Sequence, residues 1–190
     1  MARDNKDIMQ QYLSDMISLD EHIIEAVERQ IEDKRTGEYP EARQIVSTIK
    51  RTLDQHVGIL KGQIKQFGGE ESGPVKEAVS VVAGVAAGLY DKVRHDPVSK
   101  MLRDDYTALS LASISYTMLH TTALALQQPA VADVALRALK DITPIIVDIS
   151  KAMPGLVVKD LEDEQVLMDR AVGQEAVRKT QEAWSAEHTK

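Results

Sequence analysis

Apolar side chains return every three or four residues along four long stretches of this chain, the spacing of helices that each bury one face. The first stretch runs from about Asp7 to Lys34, with Met9, Leu13, Met16, Ile23, Ile24, Val27 and Ile31 on one side. Gly37 and Pro40 break it, and the loop from Arg35 to Pro40 is so short that the next helix returns as an antiparallel neighbour. The second helix, from Pro40 to Phe67, carries Ile45, Ile49, Leu53, His56, Leu60, Ile64 and Phe67 and stops at Gly68–Gly69. Pro97 opens a third, to about Gln127, whose stripe is Val98, Leu102, Leu109, Ala112, Tyr116, Leu119 and Ala123. Pro129 starts a fourth, to about Met153, with Val131, Ala135, Leu139, Ile142, Ile146 and Ile149 inward. Pro144 inside it removes a backbone donor and predicts a kink.

Two segments lie outside this pattern. Pro74 to Arg94 reads as a short helix within a long crossover between the second and third helices, and Gly84 and Gly88 there suit close helix packing. Pro154–Gly155 closes the main body. Residues 1–155 are therefore expected to form one all-α four-helix bundle, and 156–190 a peripheral C-terminal helix or flexible tail with Trp184 as its one large apolar residue. The alternative reading of that tail is an element that binds a protein partner.

Composition narrows the function classes. Aromatic residues make up only 4% of the 190, which suits close-packed helices better than a sandwich or barrel. Thirty Asp and Glu against 23 Lys and Arg leave a net charge of −7, which disfavours binding to phosphate backbones. The chain has no cysteine, so disulfides, thiolate metal sites and cysteine nucleophiles are excluded, and a cytoplasmic location is expected. The opening MARDNKDIMQQ lacks the apolar core of a signal peptide. Ala78 to Tyr90 is too short to span a bilayer, and Leu109 to Leu126 carries Ser110, Ser113, Ser115, Thr117, His120, Thr121 and Thr122, so a buried bundle helix is expected rather than a membrane span.

The candidate chemistry lies in polar residues on the apolar faces. At about 100° per residue, Asp20 falls within the first helix's stripe and Glu21 off it. His56 stands on the second stripe with Leu53 three residues before it, and Asp54 points away. The third helix places Asp105, Tyr116 and His120 inward, and the fourth carries Asp141 and Asp148 at the flank of its stripe. A hydrogen bond between Asp20 and His56 is expected, because an unpaired buried carboxylate is costly. His120 reads as a satisfied core histidine, and His22, His95 and His188 as exposed or in loops. Asp104–Asp105 and Asp160 to Glu164 read as acidic runs on solvated helix ends. Gly-x-Ser-x-Gly, phosphate-loop and His-Glu-x-x-His motifs are all missing.

Leu13–Ser14–Asp15 with Asp20, Ile23 and Val27, the Gly68–Gly69 ending, and the stretch from Tyr116 through Ala125 and Pro129 to Asp141 resemble the bacterial stress-associated YciE/YciF-type ferritin-like proteins. The resemblance covers roughly residues 7–153. It implies a ferritin-like bundle with its long crossover between the second and third helices. It also implies a core di-metal site, for which Asp20 matches the first-helix carboxylate and His56 the ligand level of the second. The remaining carboxylates would fall at Leu109, Ala112, Ile142 and Ile145, so the site is degenerate here.

The expected function is therefore a non-enzymatic structural or stress-associated interaction module, without cofactor, forming a homodimer through the Ala/Gly-rich segment from Val79 to Leu89. The alternative is a metal-binding protein of oxidase or storage type with an atypical site drawn from Asp20, His56, Asp105 and His120. A small-molecule pocket between the helices is a third reading.

Overall fold

The computed structural model describes residues 4–68, 97–166 and 168–185, and every regular element among them is helical. In chain order these are α1 (Asn5–Glu32), α2 (Lys34–Gly37), α3 (Pro40–Gln66), α4 (Val98–Ala125), α5 (Pro129–Asp163) and α6 (Val172–Ser185). The helix expected over 74–94, the Gly84 and Gly88 pair, the surface from Val79 to Leu89, and His95 and His188 lie outside the described residues.

Local chemistry sets the boundaries. α3 and α5 each begin with proline, whose missing N–H costs nothing in a first turn. α1 ends at Asp33, which leaves helical geometry and accepts the Arg35 N–H at 2.9 Å, so a one-turn α2 replaces the loop expected there. α4 ends in a left-handed Gln127 at φ 56°, and Gln128 N–H reaches back to the Ala123 carbonyl at 2.8 Å. The same closure follows α5 at Gln165, with φ 59° and a Val166 to Leu161 bond of 3.1 Å. α5 runs through Pro154 and Gly155 to Asp163, past the end expected at Met153. The apolar spacing explains the extension, since Ile149, Ala152 and Leu156 are buried and continue one stripe across the proline.

The four long helices close into a ring in which α1 packs on α3 and α4, and α5 packs on the same two. Cross-helix contacts give their directions. Gln10 donates to the Phe67 carbonyl, so the start of α1 meets the end of α3. Gln30 meets Asp105 and Asp20 meets Tyr116, so α1 and α4 are also antiparallel. Tyr39 bonds Asp160, which sets α3 antiparallel to α5. α3 and α4 are therefore parallel, and the chain leaves one end of the bundle at Phe67 to re-enter at the other at Pro97. The helices are long: the 27 residues of α3 span about 40 Å.

Leu13, Ile23, Ile49, Leu53, Leu109, Leu119 and Ile142 are fully buried on the shared axis. Each contributes roughly 1.5–3 kcal/mol relative to exposure. At one end of the bundle, Asp160 joins three helices. It accepts from the Tyr39 hydroxyl at 2.8 Å and from the Ser99 N–H at 3.1 Å, capping the start of α4 in place of a local side chain. Asp163 also lies 2.8 Å from the Tyr39 hydroxyl, and the Lys159 ammonium sits 4.6 Å from the ring centre. The acidic run from Asp160 was expected in solvent; its first residue instead caps a neighbouring helix.

The C-terminal helix docks on α5 without burying any residue completely. An Arg170–Glu162 ion pair of 2.9 Å holds the turn before it. Among the described residues, no helix is long and apolar enough to cross a membrane.

Candidate functional site

The mid-bundle polar group is built on Tyr116. Position 116 lies on α4's buried stripe, and a buried phenol needs a partner for its hydroxyl. It donates to Asp20 Oδ2 at 2.6 Å, while its ring meets that of His56 edge to face at 5.7 Å between centres. His56 in turn places Nε2 3.2 Å from Asp141 Oδ2. Three helices besides α4 thus supply one polar side chain each, and the series runs inward from half-exposed Asp141 to Asp20, which is wholly buried. The expected Asp20–His56 hydrogen bond is not formed. Tyr116 stands between them and takes the carboxylate, and His56 turns outward to Asp141.

Burial sets the protonation of this group. Desolvation pushes the Asp20 carboxyl up to about 7, against a smaller downward pull from the Tyr116 hydrogen bond. The Tyr116 phenol is raised by burial and by the adjacent carboxylate, so it remains a donor. His56 is lowered by burial, with Asp141 working in the opposite direction, and the imidazole is favoured in its neutral form. Asp20 Oδ1 and His56 Nδ1 are buried without hydrogen-bond partners among the described residues. A small cavity of about 20 Å³ borders His56, Tyr116 and Asp141, room for one water.

The other candidate ligands are elsewhere. Asp105 is wholly buried and accepts from Gln30 Nε2 at 2.9 Å, and Asp104 beside it is also buried, so this pair is not a solvated helix end. His120 places Nδ1 2.8 Å from the Ala132 carbonyl, joining α4 to α5. Asp105 and His120 stand 15 residues apart on one helix, about 22 Å along its axis at 1.5 Å per residue. No single ion can take both. Among the described residues, no group of three or more His, Asp or Glu side chains converges as a metal site would require.

Two partners escaped the sequence reading. Asp141 was placed at the flank of its stripe, where a histidine on α3 reaches it. Asp160 carried a usable signal, since it follows Leu156 by four residues on the stripe that crosses Pro154.

No protein-family model, curated protein or solved structure matches the chain.

Proposed function

We propose that this chain is a ferritin-like bundle of the stress-associated type that works without a di-metal centre, as a non-enzymatic interaction module that pairs with a second copy of itself. The observation that carries the reading is the outward face of α4. From Tyr106 to Gln128 the chain has no Asp, Glu, Lys or Arg, although 28% of all residues are charged. Ile114, Met118, Thr121 and Ala125 form an exposed stripe along it, with Thr117 and Leu124 at the edge. Ile114 is 57% and Met118 52% exposed. An apolar face of this kind loses free energy in water and is typical of contact surfaces.

Charge selects the occupant. Two copies of net charge −7 repel one another over most of their surfaces. Faces without charge can meet across a two-fold axis with no ion to desolvate and no like charges opposed.

The parallel course of α3 and α4 supports the ferritin-like assignment, since such bundles join those helices by a connection along their length. The interior supports the absence of a di-metal centre. Where the family's carboxylates would stand, Leu109, Ala112, Ile142 and Ile145 are buried apolar side chains, and Leu53 occupies the position three before His56. The one matching carboxylate, Asp20, is held by Tyr116.

Size-exclusion chromatography with light scattering tests the pairing. The native chain is expected at twice the monomer mass and Met118→Glu at the monomer mass with unchanged helicity. A native monomer at high concentration, or a Met118→Glu dimer, would refute it.

A further inference from the structure

The C-terminal helix packs on α5 and reaches Tyr106 of α4 at its far end. Near its start, Gly173 lies against Val158, where an added Cβ would meet the valine at 3.4 Å. At its far end, the Trp184 ring meets Tyr106 edge to face at 6.1 Å. Gly173 meets Val158 while Thr180 to Ser185 lie opposite Val147 to Lys151, so α6 runs antiparallel to α5, and the two end contacts are about 16 Å apart along the helix. Between these contacts the helix and α5 border a common space. That space is a groove of about 620 Å³, within the roughly 300–1,000 Å³ range of small-molecule sites.

The groove's walls define what would fill it. Val147, Met153 and Pro154 form an apolar floor, with Trp184 and Tyr106 at one end. Trp184 remains 61% exposed and Val147 40%, so these surfaces face the gap without covering one another. The ionisable groups at the rim are Arg103 and Lys151, with no carboxylate among the lining residues, in a chain where acids outnumber bases 30 to 23. Arg103 is engaged by Asp104 at 2.7 Å; Lys151, the second cation, stands between this groove and a neighbouring pocket lined by Glu41 and Asp148.

We propose that the groove between α5 and α6 binds a free long-chain carboxylate, its alkyl chain under the C-terminal helix and its head group at Lys151. The apolar slot removes the chain from water, and a cation at a wet rim sets the sign of the head.

Trp184 is the protein's sole tryptophan, so its fluorescence reports directly on the groove. Dodecanoate below its micellar concentration is titrated into the full chain, followed by emission and by calorimetry. The expected result is a saturable blue shift at one ligand per chain. Lys151→Glu weakens binding about tenfold, and dodecyltrimethylammonium binds more weakly than dodecanoate by a similar factor. Val147→Asp, at a position 40% exposed, weakens it further, with helicity equal to that of the native chain. The proposal is overturned by non-saturating partition, by equal affinity for the cationic amphiphile, or by binding indifferent to both substitutions. A blue shift that follows protein concentration without ligand would assign the groove to a second copy and equally overturn it.

Discussion

The Tyr116 hydroxyl donates a 2.6 Å hydrogen bond to Asp20 Oδ2 in the middle of the bundle, tying α4 to α1 where both are surrounded by aliphatic side chains. The carboxylate would otherwise be a buried charge with nothing to offset its lost hydration. Tyr116→Phe keeps the ring's packing and removes only the donor. The expected loss is roughly 1–3 kcal/mol in denaturant unfolding, with the Asp20 carboxyl moved above about 7. Adding Asp20→Leu to Tyr116→Phe should restore stability, because both polar partners are then gone. A double variant less stable than Tyr116→Phe alone would assign Asp20 a further partner.

The same group makes stability depend on pH. Asp20 has an ordinary value of 3.8 and is raised to about 7 by burial. Between these values the folded chain holds a proton that the unfolded chain has released. Asp20's contribution is therefore complete below about pH 4 and disappears as pH rises through 7. The change is on the order of a few kcal/mol, at about 1.4 kcal/mol per unit of difference. His56 works in the other direction. Its lowered value favours the neutral ring, so its contribution holds above 6.5 and is lost as pH falls. Urea midpoints from pH 4 to 8 should decline with rising pH in the native chain, and Asp20→Asn should make that decline shallower, leaving the smaller part that burial of Asp15, also raised, contributes. An unchanged slope in Asp20→Asn would show that other groups set it.

At the end of the bundle, Asp160 satisfies Tyr39 and the backbone of Ser99 at once, whereas Asp163 is half exposed. Asp160→Ala is expected to cost roughly 1–3 kcal/mol through a lost cap and a lost buried acceptor. Asp163→Ala should cost less than about 1 kcal/mol, as for surface charges. Equal effects in thermal or chemical unfolding would contradict the assignment of Asp160 as the residue that fastens α4 to α3 and α5.

The helices were legible because burial of one face imposes its period on the sequence. Leu53, Leu109, Tyr116 and Ile142 were placed inward from spacing alone, and all are wholly buried. Pro154 misled, since proline usually ends a helix, whereas the packing of Ala152 and Leu156 carries α5 beyond it. Partner choice was less legible. Spacing put Asp20, His56, Asp105 and His120 on inward faces, but which of them meet depends on the axial register between helices, and that is set by packing across the bundle. One part of the answer was already in the numbering: 105 and 120 on one helix are too far apart to share an ion. The groove under α6 left no sequence signal beyond Trp184, because it arises from how a separate helix comes to rest on α5.

The polar side chains inside the bundle are assigned here to holding helices together, and metal binding by the purified chain tests this most directly. The chain is loaded with Fe(II), Mn(II) or Zn(II), its metal content is measured after desalting, and each ion is titrated by calorimetry into the native chain and Asp20→Asn. The expected result is metal content below one ion per chain and the same isotherm for both proteins. Two ions per chain, retained through desalting and lost in Asp20→Asn, would contradict it.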